Sequence, residues 1–342
     1  MKHLKITFIA IFICGVLLLF LNLALGSISI PLKSVWQIMI GAYDGDIVHQ
    51  NIILKSRFPT VITAIFAGAG LSISGLQMQT LFRNPLAGPS ELGISAGASL
   101  GVAIVILLSG SILNGALISA GVFGEIAISI AAIVGALIVM LVILSVSQYT
   151  KGSVTLLIVG VMIGYIATAL IGVLKFFSSD EDIKGYVIWG LGSFSKVSGG
   201  NIKPFVITCA VLIPLSFLLI KRLNLMLLGD NYASSLGQNI RSIRFWTILS
   251  SCSITAIVTA YCGPIIFLGL AVPHLCRMIF STSDHRVLMP AVTLVGAVLA
   301  MLCNLIARMP SIEGALPINS VTALIGAPIV LWVIFERKSS IN

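Results

Sequence analysis

The sequence predicts an all-α integral membrane protein with about ten transmembrane helices. Only 9% of its 342 residues are charged, 58% are hydrophobic, and the mean hydropathy is +1.12. A soluble domain carries about 25% charged residues because its surface must be solvated. Intrinsic disorder is excluded as well, since it requires low hydrophobicity. The apolar runs are continuous rather than alternating, which favours helices over a β-barrel.

Ten spans follow from the distribution of charge. A spanning helix needs roughly 20 mostly apolar residues, and nine stretches without Asp, Glu, Lys or Arg reach or approach that length. One of them contains the turn signal Gly263-Pro264 and is predicted to form two short helices. Another contains Asn114-Gly115 and is predicted to be one helix followed by a polar loop. The nine stretches are Ile6–Leu32, Phe58–Phe82, Leu92–Gly124, Ile126–Thr150, Gly152–Leu174, Pro204–Ile220, Phe245–Cys276, Val287–Ala307 and Gly314–Phe335.

The basic residues predict the topology. An even number of spans places both termini on one side, and with that side in the cytoplasm the inner segments carry twelve basic residues against eight outside. This bias agrees with the positive-inside rule, so the net charge of +9 marks cytoplasmic loops rather than a nucleic-acid surface. The first apolar run has a signal peptide as its alternative. It lacks a clear cleavage site, and its removal would spoil the parity, so we keep it as a helix.

Several missing motifs narrow the mechanism. The chain has no GxxxxGK[ST] and therefore no P-loop for ATP hydrolysis. It has no HExxH, and its six cysteines show no paired spacing, so we predict neither a metal site nor an enzyme. No Asp or Glu falls in the middle of a predicted span, which weakens a proton-driven carrier. A sodium-coupled carrier that uses carbonyls and hydroxyls stays open. The chain is predicted to be a passage whose energy comes from elsewhere.

Two interruptions of the apolar pattern indicate discontinuous helices. The stretch from Arg83 to Glu91 holds two prolines and a glycine, which predicts a structured turn at membrane depth. Its Gly88-Pro89 with Leu92-Gly93 is similar to Gly263-Pro264 with Leu268-Gly269 further on. This weak similarity hints at an internal repeat of the kind found in transporters.

The longest polar inner connection runs from Lys221 to Arg244. Asp230 is expected to cap a short helix that passes Ala233 and Leu236 and stops at Gly237, because Asp favours N-caps and Gly favours helix ends. Exposed apolar residues on this segment would suit the docking of another subunit. An ordinary surface loop is the alternative.

Taken together, these segments resemble the FecCD/BtuC-type permeases, the membrane subunits of ABC importers for iron-siderophores, haem and vitamin B12. The resemblance covers essentially the whole chain, as a single transmembrane permease domain over 1–342. The motifs that carry it are Ser56-Arg57-Phe58-Pro59, Ser74-Gly75 to Gln79, the run RNPLAGPSELGISAGASLG from Arg83, Leu228-Gly229-Asp230 to Gly237, the run GPIIFLGLAVPHLCR from Gly263, Asp284-His285-Arg286, and Leu316-Pro317 to Pro328.

The resemblance implies a type II ABC importer architecture and a homodimer with the pathway along the subunit interface. Two separate ATPase subunits would hold ATP and Mg, so this chain itself would need no cofactor. An extracytoplasmic binding protein and the lipid bilayer complete the expected partners, and nucleic acid is not among them. The expected location is a bacterial inner membrane.

The same resemblance assigns roles to particular residues. Residues that form the coupling element on the ATPase would be Gly229, Asp230, Ala233, Leu236 and Gly237. The cytoplasmic gate would include Asn84, Leu86 and Ser153, and the fifth helix, from Val154, would line the pathway. Arg57 and Arg308 match outward-facing arginines that pair with the binding protein. The family commonly reads Arg-x-Pro-Arg at the first of these sites, whereas this chain has Thr60 in the last place.

The substrate is left open among iron-siderophore, haem and cobalamin, with an iron-siderophore preferred. A stand-alone secondary carrier is the rival from another class. An integral membrane enzyme has no supporting residues.

Overall fold

The structure is a computed structural model, and it describes residues 2–26, 28–112, 122–150, 153–309 and 315–339. Throughout these ranges the regular structure is helical and no β-strand occurs. The α-helices in chain order are α1 (Lys2–Ala24), α2 (Leu32–Met39), α3 (Ile47–Asn51), α4 (Phe58–Phe82), α5 (Ile94–Ile112), α6 (Val122–Tyr149), α7 (Ser153–Phe176), α8 (Asp180–Gly190), α9 (Ile202–Phe217), α10 (Ile220–Leu227), α11 (Asp230–Ser235), α12 (Ile240–Cys262), α13 (Leu268–Phe280), α14 (His285–Ala307) and α15 (Ile318–Ser339).

The number of spans agrees with the prediction. In the described chain seven helices are long and apolar enough to cross a membrane, and three shorter apolar helices accompany them. The shorter three lie in α5, α13 and α15, so the ten predicted spans are all present as helices. The predicted division at Gly263-Pro264 is confirmed, because α12 ends at Cys262 and α13 begins at Leu268.

Helix boundaries differ from the prediction mainly outside the spans. The π-helical segment Ile52–Arg57 runs directly into α4, so the second span starts earlier than Phe58. The short amphipathic helix α2 was not predicted, because eight residues are too few to register as a span. The polar loop expected after α5 falls in 113–121, outside the described residues.

The centre of the fold is α4, which is buried along nearly its whole length. Small residues allow its neighbours to approach closely, as is common in membrane helix packing. A Cβ placed on Gly75 would lie 1.6 Å from the carbonyl oxygen of Gly269 in α13, and one on Gly68 would lie 2.3 Å from that of Gly296 in α14. Only glycine fits at such contacts, so α4, α13 and α14 form one tightly packed group.

The first helix belongs to this membrane-embedded packing. The buried Asn22 donates through Nδ2 to the carbonyl of Met301 at 3.0 Å, and Asn304 donates to Oδ1 of Asn22 at 2.8 Å. Polar side chains of this type fasten helices to each other in lipid. These contacts fix α1 to α14, in keeping with its interpretation as a transmembrane helix.

Candidate functional site

The connection between α4 and α5 is the structured turn that the sequence predicts. Arg83 ends α4 in the left-handed conformation, with φ of 47°. The amide of Leu86 donates to Oδ1 of Asn84 at 2.9 Å, and the ring of His274 contacts the carbonyl of Pro85 at 2.7 Å. The amide of Gly88 donates to Glu91 at 2.7 Å, and burial raises the pKa of that carboxyl group. We call residues 83–88 the gate loop after the role predicted for Asn84 and Leu86, which stays a prediction.

The second feature is the pair of short helices α10 and α11, which the sequence predicts to lie on the cytoplasmic side. Gly229 separates them with φ of +109°, a conformation that favours glycine, and Gly237 follows with φ of +76°. Ala233 is fully buried and Leu236 is half exposed. We call residues 229–237 the coupling segment after their predicted contact with the ATPase, which stays a prediction.

Asp230 does not cap α11, so this prediction is wrong. The N-cap position is occupied by Gly229, and the carboxylate of Asp230 makes no capping hydrogen bond. Its two oxygens are instead taken by arginines: Oδ1 lies 2.6 Å from Nη2 of Arg83, and Oδ2 lies 2.6 Å from Nη2 of Arg244. The carboxylate binds the guanidinium groups rather than backbone amides because hydrogen bonds between ionised groups are stronger than those between neutral groups.

The carboxylate of Asp230 therefore joins three parts of the fold. Arg83 belongs to the gate loop, and Arg244 belongs to α12 and also donates to the carbonyl of Thr150 after α6 at 3.3 Å. The side chain of Arg244 is only 8% exposed, whereas Asp230 and Arg83 are 32% and 48% exposed. The Arg244 pair is thus the fixed side of the junction, and the Arg83 pair is the solvent-accessible side.

A second set of polar contacts holds α10 in place. Asn224 donates to Oδ1 of Asp284 at 2.6 Å and accepts from the amide of His285 at 2.9 Å. The His285 ring contacts the hydroxyl of Thr80 in α4 at 2.8 Å. Hydrogen bonds from the Arg286 amide and from Asn224 lower the pKa of Asp284. These bonds tie α10 to the ends of α4 and α14.

Several apolar side chains on and beside α10 and α11 are exposed. Leu227, Leu228, Tyr232 and Leu236 are between 43% and 60% exposed. We call these four residues the docking patch. Exposed apolar side chains on neighbouring short helices suit a contact surface for another protein.

The two predicted docking arginines lie in different environments. Arg57 is 1% exposed, and its guanidinium group donates to the carbonyls of Leu23 at 2.7 Å and Ala24 at 2.8 Å, and to that of Ile28. It thereby satisfies carbonyl groups left free at the end of α1. Arg308 is partly exposed, but its Nη1 is buried and has no hydrogen-bond partner among the described residues. The docking role of both arginines stays a prediction.

Thr60, which replaces the family arginine, is buried and donates to the carbonyl of Ser56 at 2.7 Å. Its side chain therefore bonds within its own helix instead of facing the outer surface.

The helix predicted to line the pathway presents an uncovered face. Val154, Ile158, Met162 and Tyr165 are 47% to 68% exposed at helical spacing along α7. Ser153 is the first residue of α7, and its side chain lies outside the described residues. The role of α7 in the pathway stays a prediction.

The cysteines match the interpretation as small apolar residues. Five of the six are buried, Cys14 is exposed, and none of them forms a disulfide. Within the described ranges no group of three or more His, Cys, Asp or Glu could hold a metal ion.

Comparison with known proteins identifies the family. The FecCD transport family matches residues 13–336. The hemin transport system permease protein HmuU of Yersinia pestis is 32% identical over 331 residues, which cover 94% of each chain. The Fe(3+) dicitrate transport system permease protein FecD of Escherichia coli is 31% identical over 340 residues, covering 99% of this chain and 100% of FecD. The vitamin B12 import system permease protein BtuC of Salmonella newport is 33% identical over 287 residues, or 84% of each chain.

A solved structure supports the same assignment. An ABC transporter described as metal-chelate type, in an inward-facing conformation, superposes with a TM-score of 0.83 at 28% identity, covering 97% of this chain and 99% of that one. The fold and this likeness define the membrane permease of a type II ABC importer. The chain belongs to the FecCD transport family. This membership sets aside a stand-alone secondary carrier.

Proposed function

We propose that the protein passes an iron-siderophore complex from an extracytoplasmic binding protein into the cytoplasm. In this proposal two copies of the chain form the pathway, and two separate ATPase subunits hydrolyse ATP with Mg. The chain would lie in the bacterial inner membrane with both termini in the cytoplasm. Its relatives are named as transport or import permeases, which supports a transport role without enzymatic activity in this chain.

The observation that carries the coupling proposal is the double ion pair of Asp230. The docking patch would rest on the ATPase, so a displacement of that subunit would move α11 first. Arg83 connects α11 to the gate loop at 2.6 Å, so the loop with Asn84 and Leu86 would follow. Ser153 would close the gate from the start of α7. The more buried Arg244 pair would serve as the fixed point of this movement.

The outer surface would receive the binding protein. Arg308 is partly exposed, so part of its side chain is accessible for pairing with a carboxylate of the binding protein. The buried Arg57 would contribute through its charge and by shaping the end of α1. Charge pairs of this kind affect association rate and register more than affinity.

An iron-siderophore is preferred as substrate because one relative is named for ferric dicitrate, an iron chelate. Haem and vitamin B12 are the alternatives, because other relatives are named for hemin and for vitamin B12 import. A direct comparison would use proteoliposomes that contain this chain, its ATPase and its binding protein. Uptake of a ferric siderophore that depends on internal ATP supports the proposal. Uptake of only haem or only cobalamin contradicts the substrate.

The docking patch has its own test. Leu236→Asp places a charge in the centre of the patch and should abolish co-purification of the ATPase, while the permease still reaches the membrane. Ser283→Asp adds the same charge at an exposed cytoplasmic position outside the patch and should leave co-purification unchanged. Equal retention of the ATPase by both variants contradicts the assigned surface.

A further inference from the structure

A groove of about 370 Å³ lies where the two interrupted segments of the fold meet. It is bordered by α5, α7 and α8 and by the backbone between α12 and α13. Ser90, from the turn before α5, and Pro264, from the break after α12, both line it. The two similar Gly-Pro sequences therefore contribute to one groove.

The break between α12 and α13 is held in a fixed shape. Oδ1 of Asn319 accepts from the amide of Ile266 at 3.0 Å, and Nδ2 of the same residue donates to the carbonyl of Pro264 at 2.6 Å. The first break packs beside it, because a Cβ on Gly269 would lie 3.0 Å from the ring of Pro89. Irregular backbone at membrane depth is tolerated where it lines a cavity, and transporters place substrate sites at such interruptions.

Hydroxyl groups line the inner wall of the groove. Ser95, Ser99 and Tyr186 are among the lining residues, and the hydroxyls of Ser95 and Thr259 lie 3.4 Å apart. Each hydroxyl group can donate or accept a hydrogen bond. Thr168 stands on the exposed face of α7 at the opening of the groove.

Lys175 supplies the charge at the outer end. Its Nζ lies 4.8 Å from the centre of the Tyr186 ring, and none of the described carboxylates lies within 4.0 Å of it. The groove lining contains no Asp or Glu among the described residues. Lys175 and the nearby hydroxyl groups can bind a negatively charged oxygen of a ligand, and no carboxylate of the lining competes for them. Hydrogen bonds between charged groups are stronger than those between neutral groups.

We propose that this groove is a station on the transport pathway for the oxygen-rich, negatively charged face of the substrate. Lys175 binds a carboxylate or phenolate oxygen there, and the hydroxyls of Ser99 and Tyr186 orient it. This inference rests on the proposed function for the identity of the substrate, but the preference of the groove for anions does not. It favours anionic iron chelates over neutral or cationic ones.

The test measures the charge preference of the groove with thiol reagents. The probe position is Thr168→Cys in a Cys14→Ser background, which removes the exposed native thiol and leaves the five buried ones. The purified full-length chain in nanodiscs is treated with an anionic sulfonatoethyl and a cationic trimethylammonium-ethyl methanethiosulfonate. The ratio of their rates, corrected for a free thiol, should favour the anionic reagent. Lys175→Ala should lower that ratio about tenfold, since one nearby charge acts in opposite directions on the two reagents.

Two further variants complete the comparison. Lys175→Arg keeps the charge and should keep the ratio, and Lys184→Ala removes an exposed lysine of α8 that does not line the groove and should leave the ratio unchanged. The proposal is wrong if Lys175→Ala leaves the ratio of the two reagent rates unchanged, or if Lys184→Ala lowers it equally.

A transport measurement separates this inference from the proposed function. If the wild-type complex imports an anionic ferric siderophore, Lys175→Ala should raise its half-saturation concentration about tenfold and Lys175→Arg should restore it. Absence of ferric siderophore import by the wild type contradicts the proposed function. The ratio of the reagent rates still tests whether the groove prefers anions.

Discussion

The contact between α4 and α13 makes a strong prediction about Gly75. Alanine at this position would place its Cβ 1.6 Å from the carbonyl oxygen of Gly269, and real Cβ atoms essentially never approach closer than 3.0 Å. The two backbones would have to separate by about 1.4 Å, since no flexible side chain can yield. Overpacking typically costs about 1–3 kcal/mol, and a clash between backbones belongs at the upper end.

The assay heats the protein in detergent and measures the fraction that stays monodisperse. Its midpoint is the temperature at which this fraction falls to half. Gly75→Ala should lower the midpoint by on the order of 5 °C or more. Gly172→Ala is the matched control, because it lies in α7 with nothing within 4 Å of its added methyl group. Alanine there gains up to about 1 kcal/mol in helix propensity, so its midpoint should hold or rise. Equal midpoints for the two variants would refute the close packing of α4 on α13.

Three further predictions concern residues that the predicted topology places on the outer side of the membrane. Burial lowers the pKa of Lys196 to about 8, and the carboxylate of Glu125 partly opposes this by favouring the ammonium form. Only the neutral amine reacts with acylating reagents, so labelling of Lys196, measured by mass spectrometry, should be half-maximal near pH 8. Glu125→Gln should lower the pH of half-maximal labelling. Half-maximal labelling above pH 10 would contradict a buried environment for Lys196. Arg308→Glu should weaken association with the binding protein, and more so at low salt, where charge is least screened. Arg57→Glu should instead lower the yield of folded protein, because three carbonyls near the end of α1 lose their donor; a normal yield with weakened association would show that Arg57 acts mainly in docking.

The spans and their interruptions could be predicted because both signals are local. A run without charges indicates a membrane helix wherever it occurs, and Gly263-Pro264 breaks a helix whatever surrounds it. The same local reasoning failed at Asp230. An aspartate at the start of a short helix usually caps it, but two arginines compete successfully for this carboxylate.

The junction at Asp230 lay beyond sequence reasoning because its members are far apart in the chain. Arg83 is 147 residues from Asp230, and nothing in either local sequence indicates the other. The burial of Arg57 was hidden for a similar reason, since the segment that follows α1 folds over it. Charge at the end of a span predicts the side of the membrane, but the depth of the side chain depends on tertiary packing.

The central claim is that the Arg83–Asp230 ion pair transmits movement from the coupling segment to the gate loop. The most direct measurement is the number of ATP molecules hydrolysed per substrate imported, in proteoliposomes containing the complete transporter. Arg83→Ala should leave hydrolysis near the wild-type rate and reduce import, so that this number rises about fivefold or more. Arg241→Ala removes an exposed arginine of α12 outside the junction and should leave the number unchanged. An Arg83→Ala transporter with the wild-type number of ATP molecules per substrate would contradict the claim.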